Sequence, residues 1–211
     1  MGSTDRLLFS PDHRVVVTGW WSAQGRGAEL WDTFSGRRMA AFTNMTALAF
    51  SSDNRMLAGQ TVNFRVKVVN VATKTELIFT PGLKMNSTAA AFSGDGKLLA
   101  TTSYDGDARL WSVESGQASY RLKGHKQEVH CVTFSPDGKT LVTGSADGEV
   151  KFWNVATGKE LFSLRIPGAD LRLVQFSLDS RTLVVQDSRH VFRVPSLAEI
   201  DALQQPKLNR D

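Results

Sequence analysis

Cysteine is nearly missing: the 211 residues hold one, Cys131. A lone thiol closes no internal disulfide and builds no cysteine-based metal site, so a reducing, cytoplasmic setting is the simplest expectation. No apolar run approaches the ~18 residues of a membrane span. Met1 to Phe9 lacks the apolar stretch of a secretory signal. Neither sign of charge dominates: 25 Lys and Arg stand against 21 Asp and Glu, a net +4 spread along the chain. Without a concentrated basic stripe, nucleic acid is not expected as a partner.

Catalytic signatures are missing too. There is no Gly-x-Ser-x-Gly elbow and no phosphate-binding glycine loop. The four histidines, His13, His125, His130 and His190, show no metal-ligand spacing. His13 reads as a solvated turn residue. The pairs Asp95-Gly96, Asp105-Gly106, Asp137-Gly138 and Asp147-Gly148 lack the alternating carboxylates of a calcium loop and read as hairpin turns. Cys131 lies in an apolar strand with no adjacent base, so packing explains it. No metal and no cofactor is expected.

What is present is apolar surface sufficient to fold, 41% of residues being hydrophobic, and a repeat. The string Phe-Ser-x-Asp occurs as Phe9-Ser10-Pro11-Asp12, Phe50-Ser51-Ser52-Asp53, Phe92-Ser93-Gly94-Asp95, Phe134-Ser135-Pro136-Asp137 and Phe176-Ser177-Leu178-Asp179. The phenylalanines step by 41, 42, 42 and 42 residues. Five near-even copies mean a repeat architecture.

The fourth copy reads as four short strands. Thr133-Phe134 closes the first, Pro136-Asp137-Gly138 turns, and Lys139 to Thr143 forms the second. Asp147-Gly148 turns into Val150 to Trp153, and Thr157-Gly158 turns into Glu160 to Leu164. So small a sheet cannot bury both faces alone. Stacking copies radially buries them, which makes each copy a propeller blade. The expected fold is all-β, about five four-stranded blades at roughly 5–43, 44–85, 86–127, 128–169 and 170–195.

The fourth repeat, Gly124-His125 to Trp153-Asn154, resembles a WD repeat, and the resemblance covers about residues 5–195. It implies a structural hydrogen-bond network of His125, Thr143, Asp147 and Trp153. Repeat three keeps Thr101, Asp105 and Trp111 but has Leu83 for the histidine. Repeat one keeps Thr18 and Trp31-Asp32. Repeat two has Gly59, Asn63 and Val69, and repeat five Val185 and Phe192. One fully networked blade is therefore expected, the others relying on apolar packing.

The repeat breaks at both ends. From Phe9 to Trp31 is 22 residues, against 19 in repeats three and four, the excess lying in Trp20 to Gly27. Repeat five is shortened around Gln186 to Arg189. After Pro195, Ser196-Leu197-Ala198-Glu199 is a capping box, and Leu197, Ile200 and Leu203 keep helical spacing, so a short helix is expected at 196–204 and a frayed tail at 205–211. Pro195 to Ile200 also resembles the ending of many bacterial WD-repeat chains. The chain starts on a blade's first strand and ends after a third strand. An open ring is expected: part of a longer propeller supplying the missing blades, or a chain closed by self-association.

The family resemblance implies a non-catalytic scaffold for protein–protein interaction, binding a protein or peptide through the loop face. Candidate contacts there are Trp21, Arg26, Met45, Arg65, Tyr104, Lys126, Glu128 and Arg189, since aromatic, Met and Arg side chains favour interface centres. Trp20 and Trp21 have an alternative role in covering the edge of blade one. The rival reading is a propeller hydrolase or lyase, or a regulatory module of a larger bacterial signalling enzyme. Against catalysis, the channel-facing first strands carry one histidine and no carboxylate.

Overall fold

The computed structural model describes residues 7–22, 25–79, 85–177 and 182–194. The expected helix at 196–204, the tail at 205–211 and the string Pro195 to Ile200 lie outside the described residues, as does the Trp21 side chain. Within the described residues the protein is all-β, and none of its elements is a helix long and apolar enough to cross a membrane.

Among the described residues nineteen strands form five antiparallel sheets, each a meander in chain order. The first blade holds β1 (Leu7–Phe9), β2 (Val15–Ser22), β3 (Gly25–Asp32) and β4 (Arg38–Thr43). The second holds β5 (Thr46–Phe50), β6 (Met56–Gln60), β7 (Val66–Asn70) and β8 (Glu76–Ile78). The third holds β9 (Ser87–Phe92), β10 (Leu98–Ser103), β11 (Ala108–Ser112) and β12 (Ala118–Leu122). The fourth holds β13 (Val129–Phe134), β14 (Thr140–Ser145), β15 (Glu149–Asn154) and β16 (Glu160–Arg165). The fifth has three strands among the described residues, β17 (Leu173–Phe176), β18 (Leu183–Gln186) and β19 (Val191–Val194).

The repeated Phe-Ser-x-Asp is a turn lock. Ser10, Ser51, Ser93 and Ser135 each donate their hydroxyl to the aspartate two residues on, at 2.5–2.7 Å. Each serine oxygen also accepts the amide five residues on, at 2.9 Å. The bonds from these serines hold all four aspartates below the ordinary carboxylate range. The fourth turn position is left-handed: Gly96 and Gly138 take φ of 70° there, and His13 and Asn54 accept 58° and 61°.

Side chains alternate between the two faces of each sheet, so successive residues enter different cores. Leu99 packs against the second blade, while Ala100 packs against the fourth. Leu141 faces the third blade and Val142 the fifth. Four inter-blade cores thus join five blades in a row. A fully buried aliphatic side chain in such a core contributes about 1.5–3 kcal/mol. No comparable core joins the fifth blade to the first among the described residues. The unmatched face of blade one exposes Leu7, Phe9 and Met39, and that of blade five exposes Leu173 and Val191.

The extra residues of repeat one lengthen its central hairpin: β2 and β3 run 8 residues each, against 6 and 5 in β10 and β11. Trp20 lies across Gly27 on the partner strand, where an added Cβ would meet its ring at 2.5 Å. That hairpin ends at Ser22 and Gly25, which pair.

Candidate interaction site

In blade four the expected quartet comes together. Trp153 donates its indole N–H to Thr143 Oγ1 at 2.9 Å, and His125 Nε2 lies 2.7 Å from the same oxygen. His125 Nδ1 faces Asp147 Oδ2 at 3.5 Å. A carboxylate on that side favours the Nδ1–H tautomer, so Thr143 donates its own proton to Nε2. Asp147 also accepts the amides of Lys126 and Glu149 at 2.8 Å each. Burial, more than any neighbour, pushes the His125 pKa down and keeps the ring neutral.

The expectation that other blades rely on apolar packing alone is corrected. Trp111 donates to Thr101 at 2.9 Å and Trp31 to Thr18 at 3.0 Å. Where blade three lacks the histidine, Arg109 binds Asp105 at 2.9 Å and lies 3.6 Å from Asp107. Arg121 also binds Asp107. Blade two, with glycine and valine at the Thr and Trp positions, carries a buried Lys67 paired with Glu76 at 2.7 Å. Polar cross-links thus accompany the apolar packing in blades one to three as well.

His125, Asp147 and Glu149 lie close enough together to suggest a cation site. The Lys151 ammonium already neutralises that cluster, 3.2 Å from Glu149 and 3.1 Å from Glu160. Both Asp147 oxygens are occupied by backbone amides. Cys131 is buried, and burial pushes its thiol pKa up to about 12, so it forms no nucleophilic thiolate near neutrality.

The loop face offers a different chemistry. One position at the head of the first strand, four residues before the motif phenylalanine, is Thr46 in β5, Thr88 in β9, His130 in β13 and Arg172 immediately before β17. The first strands of adjoining blades pack on one another, which brings these side chains into a row. Two cavities open along it. One, of about 200 Å³, is lined by Arg26, Thr46, Leu48, Gln60, Asn86, Ser87 and Tyr104. The other, of about 270 Å³, is lined by Ser87, Thr88, Tyr104, His130 and Arg172. Tyr104 and Ser87 line both, so the exposed Tyr104 ring is the wall between them.

The two cavities differ in charge. In the second, Arg172 binds Asp170, and His130 Nε2 lies 3.5 Å from both Glu128 and Asp170 without a hydrogen bond to either. Burial and then the Arg172 charge push the His130 pKa down. Tyr104 meets the His130 ring edge-on, centroids 6.2 Å apart. Among the described residues no acid lines either cavity, but acids neighbour the cations of the second and not that of the first. The first cavity's one charge, the half-buried Arg26, has a long 3.5 Å contact to Thr46 Oγ1 and no ion pair among the described residues.

Of the sequence-derived contacts, Arg26 and Tyr104 meet at the first cavity, and Glu128 stands beside His130. Arg65, Lys126 and Arg189 are exposed but line neither cavity. The backbone of Trp21 pairs with Arg26 in the hairpin. Met45 is corrected as a surface contact: it is fully buried, its side chain wrapped over Gly59, where an added Cβ would meet Met45 Cε at 2.6 Å. Residues missed by sequence reasoning are Thr46, Thr88, Gln60 and Asn86. For Thr46 and Thr88 the signal was the common step back from the motif phenylalanine, which marks the top of an inner strand; Gln60, at the end of β6, and Asn86, before β9, do not share that step.

The model of the family described as WD domain, G-beta repeat, matches residues 84–112 and 116–154, which cover most of blades three and four. A comparison with curated proteins returns no match.

Proposed function

We propose that this WD-repeat chain is a non-catalytic scaffold that docks a protein or peptide partner through its loop face. WD repeats in blade-like sheets are an interaction-scaffold kind of fold. The finer reading, which face docks and by which residues, rests on one observation. The two cavities separated by Tyr104 line up across the inner strands of successive blades and are walled by hydroxyl, amide and guanidinium groups. Such groups orient an extended partner without performing chemistry on it. The sealed His125 and the protonated Cys131 thiol fit a structural use of those groups better than a catalytic one. The opposite face carries its own exposed aromatic, Phe34, in the turn between β3 and β4.

The test compares the two faces. Photo-crosslinking residues placed at Tyr104 and at Phe34 are irradiated in cells, and the crosslinked peptides are identified. Crosslinks from Tyr104, lost with Arg26→Gln and absent from Phe34, support the reading. Crosslinks from Phe34 alone overturn it.

A further inference from the structure

We infer that the cavity beneath Arg26 receives a single carboxylate from an acidic side chain of the docked protein segment. This rests on the loop-face reading and gives the partner a chemistry. Arg26 is half-buried on β3, with Tyr104, Thr46 and Asn86 around it and Leu48 beside them. A guanidinium in such a position is expected to carry a bidentate anion partner, because its donors fork to match a carboxylate. None of the described side chains lining the cavity is acidic. Gln60 does not compete for a ligand: its Oε1 accepts the Ser87 amide at 2.8 Å and its Nε2 donates to the Met85 carbonyl at 3.3 Å. It is a fixed wall. Arg26, the Asn86 amide and the Tyr104 hydroxyl are the groups left to donate.

The neighbouring cavity decides between an acidic peptide and a polyanion. A nucleic-acid backbone leaving the Arg26 cavity past Tyr104 would reach Arg172, already bound to Asp170, and His130, flanked by Asp170 and Glu128, so it finds no second unanswered cation there. A peptide needs no second cation, because only one of its residues needs a charge. The site therefore selects an isolated acidic residue over a run of phosphates.

The test uses the purified full chain on immobilised peptide pools with randomised flanks and a fixed central Glu, Gln or Lys. The Glu pool is expected to retain more protein than the other two. Arg26→Gln removes that preference, a loss of roughly fivefold for one charge-assisted contact. Arg65→Gln, on an exposed arginine outside both cavities, leaves it intact, and circular dichroism shows each variant folded. If the three pools bind equally and Tyr104→Ala still abolishes capture, the loop face docks peptides but the carboxylate assignment is overturned. If no pool binds, the assignment and the docking reading fall together. An oligo-dT strand binding as tightly as the Glu pool overturns the choice of peptide over nucleic acid.

Discussion

Lys151 and Glu160 face each other across β15 and β16, with Nζ 3.1 Å from Oε2. Nine residues separate them, and the same spacing joins Lys67 to Glu76 in blade two and, with signs reversed, Glu29 to Arg38 in blade one. In blade three the ninth residue after Arg109 is Ala118, and Arg109 turns to Asp105 and Asp107 instead. The inner member always stands opposite the Thr or Gly of the second strand: Thr18, Gly59, Thr101 or Thr143. In blades two to four that member is a cation with 7–8% of its side chain exposed. Among the described residues no blade packs on that face of blade one, and Glu29 is a quarter exposed, so the charge there is free to reverse.

Removing the acid should therefore cost different amounts in different blades. Burial pulls the Lys151 ammonium pKa down, but Glu160 and Glu149 together outweigh it and hold it up. Glu160→Gln leaves Glu149 in place and is expected to cost about 1 kcal/mol, discounted for the carboxylate's exposure. Lys67 has Glu76 as its one acidic partner among the described residues, so Glu76→Gln, with the same discount for an exposed carboxylate, should cost more, about 2 kcal/mol. Glu29→Gln, at the exposed pair, should fall within about 0.5 kcal/mol of wild type. Urea midpoints rank the three: equal losses at Glu160 and Glu76 would mean that Glu149 does not back up Glu160, and a loss at Glu29 as large as at Glu76 would mean that burial of the charge does not set the cost.

The Trp–Thr bonds grade the same way. Thr143 serves both Trp153, 2% exposed, and the His125 ring, so Thr143→Val strips two buried groups of a partner. A loss of about 2–3 kcal/mol follows, and Thr143→Ser should recover most of it. Thr18→Val removes only the acceptor of Trp31, whose side chain is half-open on the unmatched face of blade one, so water replaces the bond and the loss stays under about 1 kcal/mol. Chemical denaturation of the three variants checks this order.

The blades were legible because their determinants are local. Phe-Ser-x-Asp closes its turn within five residues, so the repeat shows in the sequence itself. The longer first hairpin was also legible, as a changed distance from Phe9 to Trp31. The ion pairs were not. Each forms between strands, and a lysine beside a valine looks like a solvated edge until a neighbouring blade covers it. Met45 was misread for a similar reason. It stands five residues before Phe50, as Val129 stands before Phe134, and Val129 is fully buried. Register within the repeat predicted its burial better than residue type did. Its room comes from Gly59, which replaces the threonine found opposite Lys151, Arg109 and Glu29.

This exchange of Thr for Gly makes Met45 and Gly59 a coupled pair. Met45→Ala should leave a cavity between blades one and two and cost about 2–5 kcal/mol. Gly59→Ala should also destabilise, since its Cβ would fall 2.4 Å from the Thr46 carbonyl as well as against Met45. The double variant removes the Met45 clash but not the backbone one, so it should recover only part of the loss. Full recovery in a double-mutant cycle would show that the methionine alone excludes the methyl group.

Acid should loosen the fold in two separate windows. His125 and His130 both have pKa values pushed below the ordinary 6.5, chiefly by burial. The unfolded chain thus takes up protons first as pH falls. Their contribution to stability is whole above about 6.5 and is lost as pH drops through the folded values. Asp105 and Asp147 are held below the ordinary 3.8, because Arg109 in one case and backbone amides in the other outweigh burial. Their contribution stays intact above that range and is lost only at lower pH. Urea midpoints measured from pH 7.5 downward should begin to fall near 6.5 in the wild type. In His125→Gln/His130→Gln that first fall should vanish from a lower starting stability, while the second, at the carboxylates, remains. A wild-type midpoint flat from 6.5 to 4.5 would mean that both rings take up protons in the folded state as readily as in water.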